Sequence, residues 1–102
     1  MRFPQQRKVK HKKQRKMTQK EILESKVQRS LIKKYEADGW FVIKLILTTK
    51  AGIPDLLLLK NGKARFVEVK RPNGHPTKLQ QYRIQQLRDM GFDVQVKYHC
   101  EP

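Results

Sequence analysis

The amino-acid sequence predicts an α/β domain in which a mixed β-sheet is flanked by helices, in the order α-β-β-β-α-β. Three observations support this fold class. Residues 56–70 contain two extended runs joined by Asn-Gly, the strongest short-range signal of a β-hairpin. Residues 18–38 and 77–90 each open with a capping-box pattern and precede a glycine, as helices do. Residues 92–98 alternate apolar and polar side chains, which predicts a last strand reached through a helical crossover.

Charge divides the 102-residue chain into a basic N-terminal arm, residues 1–17, and a single small domain, residues 18–102. The chain holds 24 Lys and Arg against 9 Asp and Glu, a formal net charge of +15. Such an excess favours a polyanionic partner, with nucleic acid ahead of an anionic membrane surface. The arm is predicted either to be a solvated, disordered segment or to contact DNA phosphates, and the two are compatible. The predicted phosphate contacts are Arg7, Lys8, Lys12, Lys13, Arg15 and Lys16.

Several classes of protein are disfavoured by composition. Cys100 is the only cysteine, so no intramolecular disulfide can form, and no Cys/His cluster predicts zinc. No apolar run approaches the length of a membrane span, and no apolar signal core is present near the N-terminus. A cytoplasmic protein without a membrane partner is therefore expected.

The first helix carries a candidate site residue. Val27, Leu31 and Tyr35 recur at helical spacing and form the predicted core stripe. Glu24 lies three residues before Val27 and so falls on the same face. A carboxylate on a core stripe is costly unless it is paired, which points to function. The alternative is a solvated first-turn charge favoured by the helix dipole.

Residues 40–47 are aromatic and β-branched, which predicts the first strand. Lys44 interrupts it and is either a contact to DNA or the site, or an edge-strand lysine that discourages aggregation. Lys50, in the polar loop that leads into the hairpin, is a second predicted DNA contact. Residues 56–59 are apolar on both faces, which predicts a central strand covered on both sides.

The hairpin brings acidic residues together. A two-residue type I′ turn sets Lys60 opposite Lys63, and counting outward sets Asp55 opposite Glu68. Side chains alternate along a strand, so Lys70 shares their face. Directly opposed Cβ atoms lie about 4.5–5.5 Å apart, and two like charges at that distance repel unless a cation lies between them. The arrangement predicts a divalent-metal site.

The second helix presents one polar residue inward. Thr77 is the predicted N-cap, with Gln80 at the third helical position of the capping box. Gln80 also lies on the same face as Ile84 and Leu87, which directs it towards the sheet. Gln80 is therefore either a site residue or only the second half of the cap.

These residues carry a family resemblance that covers roughly residues 24–96. Pro54-Asp55 followed by Glu68-Val69-Lys70 resembles the PD-(D/E)xK nuclease superfamily, and Gly52-Ile53-Pro54-Asp55 is similar to its viral replication and repair nuclease (VRR-NUC) family. The resemblance implies a restriction-endonuclease-like core and hydrolytic cleavage of DNA. It also implies that Glu24 is the first acidic motif. It marks Gln80 as the helical glutamine, seven residues before a leucine and eleven before a glycine.

The resemblance implies a role for each site residue. Mg²⁺ or Mn²⁺ would be held by the carboxylates of Asp55 and Glu68 and by the Val69 carbonyl, with Glu24 binding directly or through water. Lys70 would orient the nucleophile and stabilise developing charge rather than act as a base. Gln80 would orient the attacking water or contact the scissile backbone. The predicted catalytic residues are thus Glu24, Asp55, Glu68, Lys70 and Gln80.

Stand-alone members of that family, often viral, look like Holliday-junction resolvases. The resemblance therefore implies a viral or phage-like, homodimeric, structure-selective endonuclease acting on branched or junction DNA, in the host cytoplasm if viral. The alternative is a catalytically silent nucleic-acid-binding module that uses the basic arm and surface while its carboxylates are structural.

Overall fold

A computed structural model of the protein describes residues 18–98, apart from the side chains of residues 20–24. The predicted basic arm, residues 1–17, lies outside the described residues. The elements are α1 (Gln19–Ala37), β1 (Phe41–Lys44), β2 (Leu56–Lys60), β3 (Lys63–Lys70), α2 (Lys78–Asp89) and β4 (Asp93–Tyr98). This order confirms the predicted α-β-β-β-α-β arrangement. In the described region neither helix has the length and apolar character needed to cross a membrane.

The four strands form one mixed sheet in the order β1-β2-β3-β4. The first two pairings are antiparallel, and β3 pairs with β4 in parallel because α2 carries the chain back across the sheet. Lys60 pairs with Lys63, as predicted. Between them, Asn61 and Gly62 have φ angles of 50° and 75°, the positive values that a type I′ turn requires. The turn therefore fixes the register of the whole hairpin.

The first strand is shorter than the predicted 40–47. β1 ends at Lys44, after which the ladder continues only as a hydrogen bond of 2.8 Å from the Leu45 N–H to the Asp55 carbonyl. β2 begins only at Leu56, the partner of Lys44, so β1 has no paired strand beyond Lys44. The chain therefore leaves the sheet at Leu45 and forms a loop that returns at Asp55.

The core has two layers, one on each face of the sheet. On the α1 face, Leu56, Leu58 and Val67 are fully buried, and Leu31 and Tyr35 of α1 pack against them, as the predicted stripe requires. On the other face, α2 covers β3 and β4 through a second core cluster. That cluster consists of Ile84, Leu87 and Val94, with Phe66 and Val96 packed against it.

The prediction that the central strand β2 is covered on both faces holds on the α1 face and fails in part on the α2 face. On the α2 side, Leu59 of β2 and its partner Phe41 of β1 are 37% and 66% exposed. The reason is that α2 packs over β4 and the centre of the sheet rather than over β1. An apolar part of the sheet is consequently left uncovered in the single chain.

The loop before β2 is fixed against the first turns of α2. Gly52 has a φ of +81°, and a Cβ built on it would lie 2.7 Å from the Cγ of Leu79. Arg83 also donates from Nε to the Ala51 carbonyl at 2.9 Å. Pro54 is buried. The close approach that glycine permits therefore fixes the segment that carries Asp55 relative to α2.

Replacing Gly52 with alanine should destabilise the protein more than the same change at Gly91. Gly91 also has a positive φ, +94°, but no atom lies within 4 Å of a Cβ built there. Both variants incur backbone strain of about 1–2 kcal/mol, and only Gly52→Ala adds overpacking of about 1–3 kcal/mol. Urea unfolding of the two variants measures the difference. Equal losses of unfolding free energy would show that contact with Leu79 is unimportant.

Candidate active site

Four predicted site residues meet at one end of the sheet, and we call Asp55, Glu68, Lys70 and Gln80 the carboxylate cluster. Asp55 lies just before β2, Glu68 and Lys70 lie on β3, and Gln80 is in the first turn of α2. Asp55 Oδ2 accepts a hydrogen bond of 2.9 Å from the Val69 N–H. This contact holds the Asp55 carboxylate beside Glu68, as the hairpin register predicts.

Glu68 is the buried centre of the cluster, with 1% of its surface exposed. Its Oε1 lies 3.5 Å from Lys70 Nζ and accepts a hydrogen bond of 3.3 Å from Gln80 Nε2. Its Oε2 is buried and accepts no hydrogen bond from a donor among the described residues. Burial raises the pKa of Glu68 to about 7, the negative charge of Asp55 adds to the rise, and Lys70 opposes it.

Gln80 serves the cap and the cluster with the same side chain. Its side-chain Oε1 accepts from the Thr77 N–H at 2.9 Å, and its backbone N–H donates to Thr77 Oγ1 at 3.1 Å, which completes the predicted capping box. Its Nε2 remains free of the cap and donates to Glu68. The two interpretations of Gln80 left open by the sequence are therefore compatible.

The donors in the carboxylate cluster fit a hard divalent cation. Such ions prefer carboxylate and carbonyl oxygens, and Mg²⁺ is often bound through one or two carboxylates while it retains several waters. Asp55 and Glu68 supply two adjacent carboxyl groups, and the buried Oε2 of Glu68 accepts no hydrogen bond from a described donor. No group of three or more His, Cys, Asp or Glu side chains suited to a metal occurs within the described residues.

Two of the predicted metal ligands stay predictions. The backbone of Glu24 lies in α1, and its side chain is among those that the structure does not describe. The Val69 N–H donates to Asp55 Oδ2, and this bond does not test the predicted binding of a metal ion by the Val69 carbonyl.

The predicted DNA contacts lie at different places. Lys44 pairs with the buried Leu56, which places it on the α1 face of the sheet, opposite to Glu68. Lys50 is exposed in the loop before β2. The remaining predicted contacts, which lie outside the described residues, are Arg7, Lys8, Lys12, Lys13, Arg15 and Lys16.

Sequence reasoning overlooked Arg83, which ties α2 to the loop before β2. The signal was present, because Arg83 lies three residues after Gln80 and so shares the face of the helix that meets the site. Arg83 acts on the loop backbone rather than on the carboxylates, and its contribution is to position them.

Comparison with known proteins identifies the family. The sequence model of the VRR-NUC domain matches residues 2–99, nearly the whole chain. The chain belongs to the VRR-NUC family. A solved structure described as a VRR_NUC domain is 37% identical, with a TM-score of 0.65 over 72% of this chain and 81% of that one. A second, a VRR_NUC domain protein, is 20% identical, covers 74% and 76% of the two chains at a TM-score of 0.63, and shares the fold. No curated protein matches.

VRR-NUC membership agrees with the order of motifs along the chain. It confirms the predicted family and the α/β fold with a mixed four-stranded sheet and two helices. It also identifies the chain as a domain of a nuclease superfamily, for which DNA is the implied substrate. The predicted viral or phage-like origin stays a prediction.

Without metal, the stability of the protein should depend on pH through Glu68. Its pKa rises from 4.5 to about 7 on folding, so the folded state keeps a proton that the unfolded chain releases. The contribution to unfolding free energy is full below pH 4.5 and is lost as pH rises through about 7, a loss of about 3 kcal/mol at most.

Glu68→Gln removes this titration and retains every other ionisable group. Urea unfolding in EDTA at pH 5 and pH 8 should therefore show that the variant gains stability relative to the wild type as pH rises. Parallel pH profiles for the two proteins would contradict the raised pKa.

Proposed function

We propose that this VRR-NUC chain is a divalent-metal-dependent, structure-selective DNA endonuclease that acts as a homodimer on branched DNA, with the Holliday junction as its candidate substrate. The observation that carries the proposal is the pairing of Asp55 with the buried Glu68 beside Lys70. The charge of Asp55 and a side-chain hydrogen bond with it both raise the pKa of Glu68, and Glu68 Oε2 accepts no hydrogen bond from a described donor, so a cation could take the place of the shared proton.

The two carboxylates would hold the cation and place it at the scissile phosphate. Bound Mg²⁺ or Mn²⁺ would neutralise phosphate charge and make the attacking water more acidic. Asp55 is held in place for this by the Val69 N–H, and Glu68 by Lys70 and Gln80. Glu24 and the Val69 carbonyl are the proposed additional oxygen ligands.

Lys70 and Gln80 would act on the water and the phosphate. The Lys70 side chain is mostly buried, and its Nζ is 3.5 Å from Glu68 Oε1, so its charge lies beside the place where negative charge develops. Gln80 Nε2 is a neutral donor at the same carboxylate, and it would orient a water or contact the DNA backbone. Both residues are fixed by regular structure, which favours a pre-organised site.

Selectivity for DNA structure follows from the kind of contacts available. Exposed lysines such as Lys44 and Lys50, together with the arm, suit phosphates rather than base edges. A homodimer would supply the two sites that symmetric cleavage of a four-way junction requires. The exposed pair Phe41 and Leu59 is apolar surface of the type that such an interface buries.

Asp55→Asn should remove cleavage and leave the fold intact. Asparagine keeps an oxygen that can accept from the Val69 N–H, but it removes the charge that would bind the cation. We expect the cleavage rate on a four-way junction in Mg²⁺ or Mn²⁺ to fall at least about 100-fold. Glu36→Gln, which removes an exposed charge of α1, is the matched control and should cleave normally.

The same assay tests the remaining parts of the proposal. Wild-type protein should cut the junction faster than a matched flap or duplex across a salt titration, and should sediment as a dimer. Equal cleavage rates on all three substrates would contradict structure selectivity. Sedimentation as a monomer would contradict the proposed homodimer. Binding that persists in EDTA, with no cleavage at any metal concentration, would instead support the silent nucleic-acid-binding module.

Substitutions at Gln80 and Thr77 distinguish the role of Gln80 in the helix cap from its proposed role in cleavage. Both Thr77→Ala and Gln80→Leu break the capping box and should lower the unfolding free energy by about 1 kcal/mol. Only Gln80→Leu also removes the donor to Glu68, so only that variant should lose cleavage rate at saturating metal. Equal rates for the two variants would limit Gln80 to the cap.

A further inference from the structure

The loop between β1 and β2 carries two large aliphatic side chains in solvent. Ile46 is 82% exposed and Leu47 is 95% exposed, more than any other large apolar residue in the described part of the chain. We call this pair the apolar tip. Single exposed aliphatic residues are ordinary, but an adjacent pair beside a candidate active site is not accounted for by folding. Burying each side chain against a partner would contribute about 1.5–3 kcal/mol.

The apolar tip is held in a fixed relation to the carboxylate cluster. The Leu45 N–H bonds to the Asp55 carbonyl at 2.8 Å where the loop begins, and Arg83 bonds to the Ala51 carbonyl at 2.9 Å where it returns. Within the loop, Thr48 Oγ1 donates to the Lys50 carbonyl at 2.8 Å. Consecutive Cα atoms are about 3.8 Å apart, so the Leu47 Cα lies at most about 8 Å from that of Leu45.

The charges around the apolar tip favour DNA over a second copy of the chain. Residues 39–54 include Lys44 and Lys50, one on either side of the tip, and no acidic residue. Exposed lysines near an apolar pair suit the phosphates beside stacked bases, and Lys50, in the same loop as the tip, is the better placed of the two because Lys44 lies on the α1 face. Two tips from a chain with a formal charge of +15 would instead bring like charges together.

We propose that Ile46 and Leu47 form a wedge that enters between base pairs next to the scissile phosphate and holds a DNA branch open. The proposal rests on the endonuclease function above and adds a source for its structure selectivity. Base steps rise about 3.4 Å along the axis, and consecutive Cα atoms lie about 3.8 Å apart, so two adjacent side chains match the spacing of neighbouring base steps. Apolar side chains inserted there unstack the bases, and the cost is lowest where pairing is already interrupted.

The experiment uses a four-way junction with 2-aminopurine in the pair next to the branch, bound in EDTA so that no strand is cut. Wild-type protein should raise the fluorescence, because the base becomes unstacked. The double variant Ile46→Ser/Leu47→Ser should lose this rise, and its exposed positions leave folding intact. Met90→Ser is the matched control, since Met90 is 60% exposed at the far end of α2.

Cleavage supplies the second measurement. In Mg²⁺ the double variant should cut the junction at least about 10-fold more slowly, a loss of 1.4 kcal/mol, and bind duplex as the wild type does. Fluorescence and cleavage equal to those of the wild type in the double variant would overturn the wedge. A changed sedimentation coefficient of the double variant would also overturn it, because the tip would then belong to a protein interface. If the wild type cuts no DNA, the proposed endonuclease function is wrong. The fluorescence measured in EDTA still tests whether Ile46 and Leu47 unstack the bases.

Discussion

The structure depends on keeping the Glu68 carboxyl group buried next to Asp55. One oxygen of Glu68 is shared by Lys70 and Gln80, while the other is buried and accepts no hydrogen bond from a described donor. A buried acid in this position is stable as the neutral form, which is why its pKa rises to about 7. A cation would reverse that preference. The folded domain therefore stores an unfavourable electrostatic arrangement at the place where a charged ligand can relieve it.

Three separate pieces of chain hold that arrangement, and each is fixed by backbone chemistry. The Asn61-Gly62 turn sets the hairpin register that brings Asp55 to Glu68. Gly52 lets the loop approach α2 closely enough to lock the Asp55 segment against it. The cap at Thr77 fixes the first turn of α2 and so the position of Gln80. These local constraints do not require contact with any ligand, so the site is formed before the substrate arrives.

The sequence was most informative where geometry is local. Register follows from a two-residue turn, so the meeting of Asp55 and Glu68 could be predicted by counting. Capping and helical spacing likewise placed Gln80. Contacts that depend on how α2 lies on the sheet could not be predicted: the approach of Gly52 to Leu79, and the half-covered face of β2. The length of β1 was also predicted wrongly, because β1 can pair only as far as β2 extends, and β2 begins at Leu56.

The proposed chemistry and the proposed selectivity can be separated in this fold, because they would use different residues on one rigid connection. In the proposed reaction the carboxylate cluster would act on a phosphodiester, which is the same in every DNA structure, so the cluster alone could not tell a junction from a duplex. Discrimination would therefore come from groups outside the cluster, which are the lysines that contact phosphates and the apolar tip that senses whether bases are stacked. Ile46 and Leu47 are apolar, exposed and joined to Asp55 through the Leu45 hydrogen bond. Insertion of the apolar tip into open DNA would thus also position the scissile phosphate at the carboxylate cluster.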